Sequence, residues 1–354
     1  MDFSLFYFAA DGSANTDRYR LLIEGARFAD SRGFSAVWTP ERHFHSFGGR
    51  YPNPAVTGAA VAAVTERVAI RAGSVIAPLH HPLRIAEEWA VVDNLSGGRV
   101  GIAFGSGWNA VDFSLRPENY TERRNVMTDT IETVRRLWRG EKVELADGTG
   151  DLVQVEVYPV PVQPNLPIWL TSVGNLTTFR QAGELGAGLL THLIWQDLDD
   201  LAKKISIYRQ VSRERHGAGT TGHVTLMIHT FLGADREEVR EIVRKPFSDY
   251  LRNSIDLITR SSGGMLSDIK HEEVNPADVE FLVERSFARY FETGGLFGTV
   301  EDGMRMLARL AEIGVDEVAC LIDFVGDTDA VLGSLDYLEK LRAASLGAAQ
   351  DAQS

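Results

Sequence analysis

Cysteine is almost absent: Cys320 is the only one in 354 residues. No disulfide can form within the chain, which fits a reducing compartment. Basic charge is also short, with 36 Lys and Arg against 49 Asp and Glu, a net charge of −13. That argues against general affinity for nucleic acid. No apolar run reaches the roughly 20 residues of a membrane span. The opening MDFSLFYFAADGS has neither the basic start nor the long apolar centre of a secretory leader, and reads as a strand. The expectation is a cytoplasmic protein with neither nucleic-acid nor membrane partners. No composition shift marks a domain boundary, and no repeat in identity is visible.

What is present is apolar bulk and rhythm. The apolar content of 44% suffices for a full core. Short β-rich runs at 3–9, 34–38, 68–77, 99–105, 167–172, 188–193, 223–232 and 317–324 each lead into a helical pattern. Those patterns lie near 17–32, 53–66, 82–95, 122–138, 177–185, 197–213, 236–251 and 330–341. The strands are apolar nearly throughout, as in a parallel sheet covered by helices. Eight such units predict a (β/α)₈ TIM barrel, with an open doubly wound sheet as the alternative. Residues 142–161 alternate like a hairpin around a glycine-containing turn. Residues 252–299 form a long insertion before the last strand. The reading is one barrel domain over 1–345, with insertions after strand 4 and before strand 8. The second insertion, 252–299, is expected to be a lid, and 346–354 a disordered tail.

In a barrel the chemistry gathers on the loops after the strands. The loop after strand 2, WTPERHFHSFGGRYPNP (38–54), crowds a Glu, two Arg and two His together. His43 and His45 form an H-x-H pair, which a metal-dependent barrel hydrolase would combine with later residues such as His192 and Asp323. Against this, the pair follows strand 2 rather than strand 1, and strand 5 ends in Thr171–Ser172, so no metal is expected. One of the two imidazoles is expected to bond only to loop carbonyls. His80 and His81 stand before Pro82 at a helix start and read as structural. Cys320, Trp89, Trp138 and Trp169 read as core. After strand 5, Gly174 turns into a helix beginning near Asn175–Thr178. This suits a phosphate, or equally an ordinary helix cap. A second small-residue turn, GSGW (105–108), favours the phosphate, and Trp108 could wall a planar ligand.

The stretches WTPERHFHSFGG, PLHHPLRIAEEWAVVDNLSGGRVGIAFGSGWN, TSVGNLTTFRQAGELGA and FGTVEDG, in this order, resemble the bacterial luciferase-like flavin-dependent monooxygenases over about residues 1–342. The form of the strand-2 loop and the GSGWN turn is similar to the branch associated with natural-product biosynthesis on polyketide and peptide assembly lines. The resemblance implies a homodimeric barrel that binds reduced FMN from a separate flavin reductase. It also implies O₂ as co-substrate, activated as a flavin C4a-peroxide to oxygenate a small-molecule or carrier-protein-tethered substrate. An F420-dependent oxidoreductase of the same superfamily and a metal-dependent hydrolase are the alternatives.

Residue by residue, the resemblance makes His43 and Arg42 the catalytic candidates. Arg42 stands where luciferases carry the first of two adjacent histidines, and could stabilise an anion. Ser106 and Gly107 stand near the position of the luciferases' reactive cysteine, so light emission is not expected. The cofactor phosphate is expected near Gly174, Asn175, Thr177 and Thr178, with Ser106 and Arg124 contributing, and Ser172 is also expected to bind the cofactor. The ring is expected over Gly73 and Ser74, joined by a cis peptide, with Trp108 close.

Overall fold

The computed structural model describes residues 1–8, 17–172, 174–194, 196–260 and 276–351. Its first strand, β1 (Asp2–Phe6), is flanked by β2 (Ala36–Thr39) and β11 (Glu317–Leu321), both parallel to it. From β2 the sheet continues through β3 (Ala69–Ile76), β4 (Val100–Gly105), β7 (Ile168–Ser172) and β8 (Gly188–His192) to β9 (Val224–Leu232). β9 pairs with both β8 and β11, closing eight parallel strands into a barrel. Every residue of β9 is buried, as expected when one face lines the interior and the other lies under helices.

The covering helices follow their strands: α1 (Arg20–Arg32), α2 (Pro54–Ala62), α3 (Pro82–Ser96), α4 (Arg123–Trp138), α5 (Leu176–Glu184), α6 (Leu198–His216) and α10 (Thr328–Asp351). Local signals fix their ends. Asn53 accepts from the amides of Ala55 and Val56, with Pro54 at the first helical position of α2. Gly33 ends α1 at φ +72°, a left-handed conformation natural to glycine. Trp89, Trp138, Trp169 and Cys320 are buried, in keeping with their reading as core.

The hairpin after the fourth unit is present as β5 (Val143–Ala146) paired antiparallel to β6 (Leu152–Val155). The segment between β9 and β11 differs from the expectation. α7 (Arg236–Arg260) runs well past 251, followed by α8 (Pro276–Arg289), a π-helical turn at Tyr290–Gly294 and a short strand β10 (Leu296–Gly298) beside β9. α9 (Val300–Glu312) then leads into β11. A Thr299–Asp302 capping box starts α9. The motif FGTVEDG is thus a strand end plus a helix cap, and its helix was not foreseen. The polar SSGGMLSD portion of the expected lid lies outside the described residues. α10 continues through Asp351, so 346–351 are helical rather than a loose tail. The Ala-rich composition there favours helix.

The amino-terminal end of the barrel is plugged. Glu317 is buried and accepts from Ser4 Oγ (2.5 Å), Trp38 Nε1 (3.1 Å), Arg71 Nη1 (2.7 Å) and His223 Nε2 (3.0 Å). Arg71 stacks between the rings of Trp38 and Trp169, 5.0 and 4.6 Å from their centres. The opposite end is left for chemistry.

Candidate functional site at the carboxyl-terminal mouth of the barrel

The loop after β2 turns Glu41, Arg42 and His43 into the mouth. Glu41 is buried, and its Oε1 meets His43 Nε2 at 2.7 Å and His80 Nε2 at 2.5 Å. Its Oε2 accepts from the Ile76 amide at 2.7 Å. Burial pushes the Glu41 carboxyl upward, but the bonds from His43, His80 and Ile76 outweigh it and hold it below the usual range. Burial pushes His80 down, yet the Glu41 bond and charge leave it raised. His80 is therefore no mere helix-start residue: β2 and β3 are neighbours, and their loops bring it to Glu41. His81 does play the structural part, accepting from the Leu83 amide as the cap of α3. His45 is the loop's own imidazole, but its Nδ1 accepts from the Phe47 amide rather than bonding to a carbonyl.

Arg42 is 5% exposed, and its Nε and Nη2 have no acceptor among the described residues. Its guanidinium lies 5.5 Å from the centre of the Phe8 ring and 5.6 Å from that of Trp108. Asp112 stands near enough to attract it, with Oδ1 held by Asn109 Nδ2 at 2.8 Å. Burial raises the Asp112 carboxyl.

The expected ring floor is compact. The Gly73–Ser74 peptide is cis, as the resemblance implied. A Cβ on Gly73 would stand 2.6 Å from Phe6 Cε2, so only glycine fits. Ser74 Oγ and Thr171 Oγ1 lie 2.5 Å apart, tying β3 to β7 across the mouth. Gly105 packs over Ser74, and Gly107 turns at φ +71° to present Ser106 and Trp108.

The expected phosphate corner lies at the start of α5. Asn175 is a true cap: its Oδ1 accepts from the Thr177 amide at 2.9 Å. Ser172 Oγ donates to the Asn175 carbonyl at 3.3 Å. Gly174 has φ +86°, and a Cβ there would lie 3.2 Å from Lys204 Nζ. Lys204 is the residue that sequence reading missed. It sits on α6 and is held by Gln196 Oε1 (3.0 Å) and Asp200 Oδ2 (2.5 Å). Only the adjacency of the β7 and β8 loops places its ammonium there. Gln181 Nε2 donates to Thr128 Oγ1 at 2.7 Å between α5 and α4. Arg124 and Thr177 each lie one turn nearer the mouth than that contact, on the matching faces. Arg123 instead turns to the Tyr120 carbonyl and ring. A helix start, two hydroxyl side chains and an ammonium fit a phosphate monoester, and Arg124 stands exposed on the neighbouring α4.

The hydrolase alternative does not assemble. His192 Nδ1 accepts from the Ile194 amide, and burial pushes this imidazole down to about 4. Both oxygens of Asp323 accept from the Phe8 amide. Among the described residues, the group whose ligand atoms could share an ion is Glu41, His43 and His80, all within 4.8 Å. There both imidazole nitrogens point at one carboxylate oxygen at hydrogen-bond distance, the geometry of a shared anion rather than of ligands around an ion. No described helix is long and apolar enough to cross a membrane.

Comparison with known proteins gives a consistent picture. Residues 1–344 match the family profile described as luciferase-like monooxygenase. The oxygenase component of a flavin-dependent trigonelline monooxygenase from Acinetobacter baylyi is 30% identical over 339 residues, covering 91% of this chain and 89% of that protein. The monooxygenase RslO1 from Streptomyces bottropensis superposes with a TM-score of 0.79 at 23% identity, over 98% of this chain and 100% of RslO1. The oxygenating constituent of 3,6-diketocamphane monooxygenase from Pseudomonas putida, solved with FMN, has a TM-score of 0.74 at 18% identity, over 96% and 97% of the two chains. F420-dependent enzymes also appear among the matches.

Proposed function

The chain belongs to the luciferase-like monooxygenase family, whose members here include flavin-dependent oxygenases, and from that footing we propose that it uses reduced FMN to insert one oxygen atom of O₂ into an organic substrate. The reduced flavin comes from a separate reductase, as the name of the trigonelline enzyme's oxygenase component suggests for that relative. The substrate is an intermediate of natural-product type, free or presented on a carrier protein, as the strand-2 loop motif suggests.

The observation that carries this reading is one mouth holding both a capped helix start beside the Lys204 ammonium and the close-packed Gly73–Ser74 segment. Bound reduced flavin would supply the electrons that activate O₂. The chain's own part is to hold and orient it. Gly174, Asn175, Thr177 and Thr178 with Lys204, Arg124, Ser106 and Ser172 would take the phosphate, and Gly73, Ser74 and Trp108 would bound the ring. His43 is the proton carrier: its Nε2 is committed to Glu41, so Nδ1 is the atom left to exchange a proton. Arg42 supplies positive charge beside it.

A homodimer fits the surface. Val91 and Leu95 on α3 are exposed, and so are Val160 and Val162 beside them, joined to α3 through Asn94 and Asp93. Exposed apolar side chains on two neighbouring segments suit a second copy.

The test is anaerobic titration of the purified chain with reduced FMN and, separately, reduced F420. FMN should bind to a dimer in roughly micromolar or better range, and admitted O₂ should reoxidise it with kinetics unlike those of free reduced FMN. Binding of F420 alone, or stoichiometric metal with no flavin binding, would sink the proposal.

A further inference from the structure

Arg42 brings a full positive charge into a place only 5% exposed and leaves two donor atoms there without an acceptor among the described residues. A buried, unpaired guanidinium is costly, and an unmatched charge in a native fold calls for a ligand. The loop holds it in place. The Arg42 amide donates to the Tyr51 carbonyl at 2.9 Å, and Gly48, at φ +84°, packs so closely that a Cβ there would lie 2.7 Å from Arg42 Cγ.

The identity of the free atoms narrows the ligand. Nε and Nη2 form one edge of the guanidinium, the edge that takes two oxygens side by side. Phe8 and Trp108 border its faces, and Trp108 is 40% exposed, so its ring is reachable from the mouth. Asp112 attracts Arg42 but its Oδ1 is held by Asn109, and among the described residues it accepts no hydrogen bond from Nε or Nη2, so that edge is open. The proposed phosphate corner has its own cation in the Lys204 ammonium beside Gly174.

We propose that Arg42 is the receptor for a carboxylate on a flat organic substrate, gripped edge-on by Nε and Nη2 with the substrate's ring beside Trp108. The substrate is then an organic acid, free rather than esterified to a carrier at that end. This rests on the mouth being the substrate site of a flavin oxygenase.

The test is calorimetric titration of the full chain, with and without FMN, using 2-naphthoate and the uncharged 2-naphthamide as probes. Wild type should bind the carboxylate about tenfold or more tightly than the amide. Arg42→Gln should abolish that preference while leaving FMN affinity within about twofold. Arg42→Lys should keep the preference but bind the carboxylate more weakly, because the fork is lost. Equal affinity for the two probes in wild type, or no binding of 2-naphthoate, overturns the proposal. So does an Arg42→Gln protein that binds FMN poorly but 2-naphthoate normally, since the cation would then serve the flavin. If Arg42→Gln does not fold, the probe ratio in wild type and in Arg42→Lys decides. Failure to bind FMN would strike the flavin reading alone, because the carboxylate preference is still scored on FMN-free protein.

Discussion

Glu41 gives its two oxygens to three donors, and that arrangement sets the chemistry of both imidazoles. Each Nε2 must carry its hydrogen to meet the carboxylate, so each Nδ1 is left as the exchangeable site. Glu41→Gln should lower the His80 pKa, because burial, which favours the neutral ring, would no longer be opposed by the anion. The sign follows from linkage. His80 is raised in the folded protein, so its stabilising contribution is full below the ordinary histidine value and is lost as pH rises through the raised one. Wild type should therefore exceed Glu41→Gln in stability by about 2 kcal/mol at pH 6, and by less at higher pH. An NMR titration of the His80 ring that is unchanged in the variant would refute this. His43 and Arg42 were legible in the sequence because one short loop concentrates them. The pairing of Glu41 with His80 was not, since 39 residues separate them and only the neighbouring of β2 and β3 joins their loops.

At the scale of the element, the start of α5 works as a unit with a side chain from the next helix. The cap, the glycine turn and the hydroxyls were all visible in GNLTT, since each is a local signal. Lys204 was not, because an i,i+4 pair with Asp200 reads as an ordinary solvated helix face until β7 and β8 are laid side by side. α9 is the reverse case: its Thr299–Asp302 capping box is a local signal that stands in the sequence. The proposed phosphate corner makes a separable prediction. Lys204→Met should weaken FMN binding about tenfold and leave riboflavin, which lacks the phosphate, unchanged. Gly174→Ala should act likewise, because its φ of +86° disfavours a side chain and its Cβ would press on the Lys204 ammonium. Fluorescence titration of both flavins decides it. Equal losses for the two would mean that these residues shape the ring site or the fold, not a phosphate site.

For the whole molecule, eight strand–helix units were countable because each strand is apolar and each helix amphipathic. Closure was not countable: nothing local says that β9 meets both β8 and β11, or that Ser4, Trp38, Arg71, His223 and Glu317 converge from four strands and a loop. That convergence seals one end of the barrel for stability and leaves the loops after the strands at the other, the end where barrel chemistry generally sits. Burial pushes the Glu317 carboxyl up, but the charge of Arg71 and the bonds from His223 and Ser4 overwhelm this and bring it to about 2. A depressed carboxylate stabilises the fold above its unfolded pKa and loses that contribution as pH falls through the folded value. From the usual 4.5 down to about 2, the linked contribution is about 3 kcal/mol. Glu317→Gln should accordingly fall below wild type in urea unfolding at pH 7, and the gap should shrink by about that amount between pH 5 and pH 2. Near and below the folded value wild-type Glu317 is itself neutral and Arg71 lacks its anion in both proteins, so little of the gap should remain at pH 2. FMN affinity should not change, because the substitution lies at the closed end. A gap that holds constant through the acid range would show that the Glu317 charge does not stabilise the barrel, and an accompanying loss of flavin binding would show that the two ends are not independent.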